Sequence, residues 1–132
     1  MICLRDKPNN EGNIIDPIIP HLEGKIITTD NAIAIKYANG TMICAGKYTG
    51  NSKLSTFFTQ YMRSEEDIKV NFPATFISNP YVVLQPTYDT YSVANILNSV
   101  SPNNFGFTAL KGKDITNVAT VSCYYIAIGR WK

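Results

Sequence analysis

The chain has 132 residues, a formal net charge of +2 and 17% charged residues. This length predicts one domain that buries about two-thirds of the surface of the unfolded chain. Lysine and arginine are scattered singly, which is not the basic stripe typical of nucleic-acid-binding domains. No apolar run reaches the ~18 residues of a membrane-spanning helix, and the start is not a secretory signal. We therefore expect neither nucleic-acid binding nor membrane insertion.

Residues suited to metal binding or catalysis are few. His21 is the only histidine, and the three cysteines lack the spacing of metal ligands, so we predict plain thiols. A Ser/His/Asp set and a glycine-rich phosphate loop are both missing from the sequence. Asp89 and Asp114 are isolated acids in connecting loops, whereas glycoside hydrolysis needs a coupled pair of carboxyl groups. We expect no cofactor, no metal and no enzymatic activity.

Residues 1–25 have no usable hydrophobic period. Asp16-Pro17 and Ile19-Pro20 interrupt any helix or long strand. The isoleucines at positions 14, 15, 18 and 19 are nevertheless too apolar for a solvated tail. The pattern predicts an extended neck or linker over residues 1–32 that lies against a partner, followed by a head domain over residues 33–132.

Two mostly apolar runs, at residues 33–37 and 41–46, flank Asn39-Gly40. Asn-Gly between two such runs predicts a β-hairpin with a type I′ turn, in which both central residues have positive φ.

Residues 54–62 carry two conflicting patterns. Leu54, Phe57, Phe58, Tyr61 and Met62 have helical spacing. Most residues of the same stretch are of types that favour strands. We predict extended structure here with a loop at 63–67, and a short helix is the alternative.

From residue 68 onward, short strand patterns alternate with turn signals. Turn residues lie at 88–90, 101–104 and 111–114. With the final strand, six or seven short strands at this spacing predict an all-β fold, an antiparallel β-sandwich. The strand patterns lie at residues 68–72, 76–77, 81–85, 92–97 and 105–110.

Residues 120–132 form the longest run rich in β-branched and aromatic residues, without proline or an acidic residue. A period of two places Ser122, Tyr124, Ile126 and Ile128 on one side. Since neither side is polar enough for solvent, we predict a central strand whose outer side packs against another subunit. The residues assigned to this outer side are Val121, Cys123, Tyr125 and Ala127.

Three stretches together resemble a known family. Residues 37–44, with Asn39-Gly40-Thr41, resemble the Asn/Asp-Gly-Thr hairpin of the C-terminal head domains of bacteriophage tail fibres and baseplate receptor-binding proteins. Residues 71–82 resemble the Phe/Trp-Pro-x-x-Phe…Pro-x-Val block of these domains. Residues 125–132 resemble their aromatic-Ile-Ala-Ile-Gly-Arg-Trp ending. The resemblance covers residues 37–132 in the family's order, and residues 1–36 match no part of it.

The sandwich of this family is similar to H-type lectin domains, which are six-stranded, trimeric and bind sugars. The resemblance therefore implies a homotrimer that binds a host cell-surface glycan or polysaccharide. It also implies a place in the virion, in the phage tail beside other tail or baseplate proteins, after synthesis in the host cytoplasm.

A sugar site needs an aromatic surface for the ring and polar groups for the hydroxyls. Loops on a rigid β scaffold are the usual place for such groups. The alternative for each residue is structural, since the tyrosines would cover the edge of the sandwich and the asparagines would form a turn. The candidate ligand-binding residues are Tyr88, Asp89, Tyr91, Asn103, Asn104 and Trp131.

The leading hypothesis is a non-enzymatic receptor-binding head that attaches a phage tail to host polysaccharide. The main alternative is a structural trimerising tip or baseplate component without a ligand of its own. A polysaccharide depolymerase is a third reading, and it requires paired acids that the sequence does not offer.

Overall fold

The computed structural model describes residues 8–9, 11–12, 22–57, 60–87, 92–112 and 118–132. All regular elements in these ranges are strands, and every recorded pairing is antiparallel, which confirms the all-β prediction. No helix in these ranges is suited to crossing a membrane. The strands are β1 (Pro8–Asn9), β2 (Glu11–Gly12), β3 (Leu22–Thr28), β4 (Ala32–Tyr37), β5 (Thr41–Phe57), β6 (Tyr61–Ser64), β7 (Ile68–Asn71), β8 (Tyr81–Pro86), β9 (Ser92–Val100), β10 (Asn104–Gly112) and β11 (Val118–Arg130).

Strands β3 to β11 form one nine-stranded sheet, and β1 pairs with β2 alone. The 17-residue β5 connects two parts of this sheet, because residues 41–53 pair with β11 and residues 54–57 pair with β6. We call the order β3-β4-β5-β11-β8 the β11 part. We call β10 with its neighbours β6, β7 and β9 the β10 part. Since β11 lies between β5 and β8, the prediction of a central final strand is confirmed.

The hairpin of β4 and β5 forms where Asn-Gly predicted it, but with a longer loop. Lys36 pairs with Met42, so residues 38–40 lie between the two strands. The Gly40 amide donates to the Tyr37 carbonyl at 3.0 Å, and Gly40 has φ of 95°. A three-residue hairpin loop with glycine in the left-handed region thus replaces the expected two-residue type I′ turn.

Residues 54–57 and 61–64 are extended, so the helix alternative is wrong for this stretch. Leu54 pairs with Ser64 and Thr56 with Met62, in a hairpin of β5 and β6 that buries Leu54 and Met62. Leu54 and Met62 therefore lie on the same, buried side of this hairpin. The predicted loop at 63–67 shortens to 65–67. Residues 58–59 lie outside the described ranges.

Residues 72–80 hold no strand, although residues 76–77 were predicted to form one. Pro73 and Pro80 bound this segment and lack an amide hydrogen for a ladder. Instead, the Phe76 amide donates to the Pro102 carbonyl at 3.0 Å, and the Ile77 amide donates to the Arg130 carbonyl at 2.9 Å. These two bonds connect both parts of the sheet at one end.

β3 belongs to the same sheet as the head. Ile26 pairs with Ile35 and Ile27 with Ala34 along β4. The sheet therefore includes residues within the 1–32 segment that was predicted as a neck. Residues 1–7, 10 and 13–21 lie outside the described ranges, so a neck at those positions stays a prediction.

The core lies between the inward side chains of the β10 part and the β11 part. Phe105 of β10 contacts Tyr125 of β11 with ring centroids 5.0 Å apart. Phe72 joins them at 5.7 Å from Phe105 and packs edge-on against Phe76 at 5.2 Å. Such edge-on and tilted aromatic pairs are favourable beyond their area burial.

The prediction for the two sides of β11 is wrong. Val121, Cys123, Tyr125 and Ala127 are at most 4% exposed and belong to the core of their own chain. They cannot form the outer contact that the sequence assigned to them. Both sides of the strand are apolar, so composition alone does not distinguish them, and the aromatic residues of β10 decide which side faces inward. The outward side carries Tyr124, Ile126 and Ile128, which are 39%, 49% and 45% exposed.

Candidate functional site

Three of the six predicted sugar-binding residues, Asn103, Asn104 and Trp131, lie within the described ranges. Tyr88, Asp89 and Tyr91 lie outside those ranges. Ser92, the described residue after them, begins β9, whereas Asn103 and Asn104 follow its end at Val100. Nine residues of strand separate these two ends by roughly 25 Å. The described residues therefore place the asparagine turn far from the start of β9.

Asn103 and Asn104 shape the turn between β9 and β10. The backbone amides of both residues donate to Ser101 Oγ, at 3.3 and 3.2 Å. The Oδ1 atom of Asn104 accepts from the same hydroxyl at 3.2 Å, and the Asn103 carbonyl accepts from the Phe72 amide at 2.9 Å. Asn104 thus has a structural role, and the exposed Asn103 side chain is the one available to a ligand.

Trp131 connects the end of the chain to the β4–β5 hairpin. Its indole Nε1–H donates to the Tyr37 carbonyl at 2.8 Å, and its backbone amide donates to the Gly40 carbonyl at 2.9 Å. The ammonium groups of Lys36 and Lys132 lie 5.1 and 4.9 Å from the ring centroid. Trp131 therefore stabilises the contact between the chain end and the hairpin, and its part in a ligand site stays a prediction.

A polar groove, which sequence reasoning missed, runs between β5 and β7. Residues 47–53 of β5 form one wall and residues 66–73 form the other. Two cavities of about 460 Å³ each share Tyr48 and Lys69, and together they extend roughly 20 Å along β5. The polar residues that line these cavities are Asn31, Tyr48, Thr49, Asn51, Ser52 and Asn71, and the charged ones are Lys47, Lys53, Glu66, Asp67 and Lys69. Lys47, Thr49 and Asn51 pair with Tyr124, Ser122 and Thr120 of β11, so their side chains lie on the opposite side of β5 from Tyr48.

Tyr48 is the aromatic residue shared by the two halves of this groove. Its ring packs edge-on against the buried Phe107, with centroids 5.8 Å apart and planes at 77°. A Cβ atom at position 50 would overlap the Tyr48 hydroxyl, so Gly50 leaves the space that this ring occupies. The contact with the core holds the tyrosine in place, while its hydroxyl end remains within the groove. A fixed aromatic of this kind is a suitable surface for a ligand ring.

The Asp67 carboxylate is held at the edge of the groove by three side chains. It accepts from Asn98 Nδ2 at 3.0 Å, pairs with Lys69 Nζ at 3.1 Å and accepts from Ser99 Oγ at 3.4 Å. Partial burial acts to raise the pKa of Asp67, but the hydrogen bonds from Asn98, Lys69 and Ser99 and the charge of Lys69 outweigh it and lower the pKa. The carboxylate is therefore an ionised acceptor at neutral pH, oriented for hydrogen bonding.

The described residues show neither a metal-ligand cluster nor an activated thiol. They include no group of three or more His, Cys, Asp and Glu arranged for a metal ion. Burial raises the pKa of the Cys44 thiol to about 11 and also raises the pKa of Cys123. Both thiols are therefore protonated at neutral pH and are poor nucleophiles.

The groove escaped sequence analysis because its walls are distant in the chain. The Glu65-Glu66-Asp67 cluster reads as an ordinary solvated loop, and residues 47–53 lie between the predicted hairpin and the stretch of conflicting patterns at 54–62. The polar composition of 47–53 within a strand was the available signal.

Comparison with protein-family models and with curated protein sequences gives no match to this chain.

Proposed function

We propose that this chain is a non-enzymatic receptor-binding head of a phage tail that attaches to a glycan on the host cell surface. The observation that carries the proposal is the groove, where the anchored Tyr48 lies among polar and charged lining residues such as Asn31, Ser52 and Glu66. A sugar presents an apolar ring face and many hydroxyls, and these walls offer partners for both. The length of the groove exceeds one sugar ring and suits a polysaccharide segment. The ordered resemblance of residues 37–132 to tail head domains supports the same function.

The proposal includes a β-sandwich architecture and a homotrimer. The contact of Phe105 with Tyr125 supports two layers with a shared core. A single shallow polar site binds weakly, because desolvation and side-chain ordering offset most of the contact energy. Three sites on a trimer, and several trimers on one virion beside other tail or baseplate proteins, convert weak contacts into firm attachment.

Binding to bacterial surface polysaccharides tests the groove. The variant Asn31→Ala/Glu66→Ala removes an exposed amide and an exposed carboxylate from residues that line the groove without touching the core. We expect at least about ten-fold weaker binding on a polysaccharide array and to whole cells, as for the loss of two modest hydrogen bonds. Asn79→Ala is the matched control, since Asn79 is an exposed amide on the 72–80 segment. It should bind as the parent protein does.

The predicted loop set supplies a second pair of variants, Tyr91→Ala and Asp89→Ala. If these variants lose binding and the groove variant does not, the binding site lies in the loop, and the proposal that the groove binds the glycan is refuted. If the parent protein binds no polysaccharide and no cell, the attachment function fails. The structural alternative, a tip or baseplate component without its own ligand, would then be favoured.

A further inference from the structure

The outward side of the β11 part carries a continuous apolar surface. Ile26, Ile35, Ile43, Ile128 and Tyr81 are successive cross-strand partners over five strands. Directly paired residues of an antiparallel sheet point to the same side, so these five form one row on one face. The neighbouring row holds Thr28, Ile33, Ala45, Ile126 and Val83. We call these two rows, with Tyr124, the β11 outer face.

This face is large for a surface that meets only water. Tyr81 is 86% exposed, Val83 68% and Ile26 55%, and Ile126 and Ile128 are close to half exposed. Taking about 200 Å² for each large side chain, these five and Tyr124 expose roughly 700 Å². The largest apolar patch of a typical monomer is about 300–600 Å². Each partner in a stable protein interface contributes about 800 Å², which is close to this value.

The charges on the face favour a second copy of the same chain as the partner. Among the described side chains that point outward from these five strands, none belongs to an aspartate or a glutamate. The cations lie at the margins, where the Lys47 ammonium is 5.6 Å from the Tyr124 ring centroid and Arg130 donates to the Asn39 carbonyl at 2.9 Å. A neutral apolar centre is self-complementary, so two copies meet without like charges opposed.

We propose that copies of this chain associate with one another through the β11 outer face. Ile126, Ile128 and their neighbours take the role that the sequence assigned to the opposite side of the strand. The inference supplies a contact for the assembly included in the proposed function. It does not depend on glycan binding, and its test uses mass alone.

The test is Ile126→Asp, measured by light scattering coupled to size-exclusion chromatography at micromolar concentration. The parent protein should give a multiple of the 14.7 kDa chain mass. The variant should associate at least about a hundred-fold more weakly and elute as single chains, because an unpaired carboxylate would be buried in the contact. Ile96→Asp is the matched control, since Ile96 is 46% exposed on β9, against 49% for Ile126. It should keep the parent mass.

Far-UV circular dichroism and thermal melting establish that each variant is folded. If Ile126→Asp does not fold, Tyr81→Asp replaces it, because Tyr81 lies on the edge strand β8 and is 86% exposed. A parent protein with the mass of one chain would overturn the inference. So would a folded variant of the face that keeps the parent mass, or dissociation by Ile96→Asp alone. Polysaccharide binding is scored separately, so a parent protein with the mass of one chain that still binds polysaccharide would overturn this inference and the homotrimer but not the attachment to a glycan.

Discussion

Tyr124 and Tyr125 are adjacent residues of one strand with opposite environments. Tyr125 is 4% exposed, and its ring centroid lies 5.0 Å from Phe105 and 6.1 Å from Phe72. Tyr124 is 39% exposed, and its recorded ring partner is the Lys47 ammonium. Tyr125→Ala and Tyr124→Ala therefore remove the same atoms from the two sides of β11.

The structure predicts unequal costs for the two changes. A buried aromatic ring removes about 150–250 Å² from water, and its truncation also leaves a cavity among rigid neighbours. We expect Tyr125→Ala to lower the free energy of unfolding by about 3–5 kcal/mol. For Tyr124→Ala we expect about 1 kcal/mol, since it loses partial burial and one exposed cation–π contact.

Urea denaturation at submicromolar protein, where association is smallest, measures both values. The loss of free energy of unfolding should be larger for Tyr125→Ala than for Tyr124→Ala by at least ~2 kcal/mol. The dependence of this free energy on urea concentration should be unchanged. A larger loss for Tyr124→Ala than for Tyr125→Ala would refute the reasoning. That result would place Tyr124, Ile126 and Ile128 in the core, as the sequence pattern alone allowed.

Two further predictions concern the chain end and the buried titratable groups. Trp131→Phe should lower the free energy of unfolding by about 1 kcal/mol, because the indole hydrogen bond to the Tyr37 carbonyl is lost. The melting temperature should fall by about 3–5 °C. Unchanged polysaccharide binding would support a structural role for Trp131, and lost binding with unchanged stability would contradict it. Stability should also fall at alkaline pH. Burial raises the folded-state pKa of Cys44 from 9.0 to about 11 and that of Tyr125 from 10.0 to about 12. The contribution of these two protonated groups to the free energy of unfolding is therefore fully present below pH 9, and it is lost as the pH rises through the two folded-state pKa values. Urea denaturation across this pH range measures how steeply the free energy of unfolding falls with pH. Cys44→Ala should reduce this slope, and a free energy of unfolding independent of pH would contradict the prediction.

Local sequence determined much of the secondary structure. The Asn39-Gly40 pair marks the hairpin, because glycine accepts the positive φ of 95° that the loop requires. The β-branched and aromatic composition of residues 120–132 predicts the long central strand, since such residues suit a pleated sheet covered on both faces. In both places the information lies within a few neighbouring residues.

Tertiary structure decided which side of β11 faces inward. Its two sides are similarly apolar, and the choice depends on Phe105 and Phe107, which reach Tyr125 and Tyr48 from a strand that is not hydrogen-bonded to β11. A shift of one residue exchanges the two faces of a strand, so a period of two cannot assign them without the partner.

Tertiary structure also formed the groove. The groove needs residues 47–53 and 66–73 to face each other, which follows from the course of β5 through both parts of the sheet. The nine extended residues of β9 keep Ser92 far from the turn of Asn103, although both lie within a short stretch of the chain. Strand propensity is local, so most strands and the β4–β5 hairpin could be predicted from the sequence. The meeting of distant strands depends on how the whole chain buries its aromatic core, so the inward side of β11 and the walls of the groove could not.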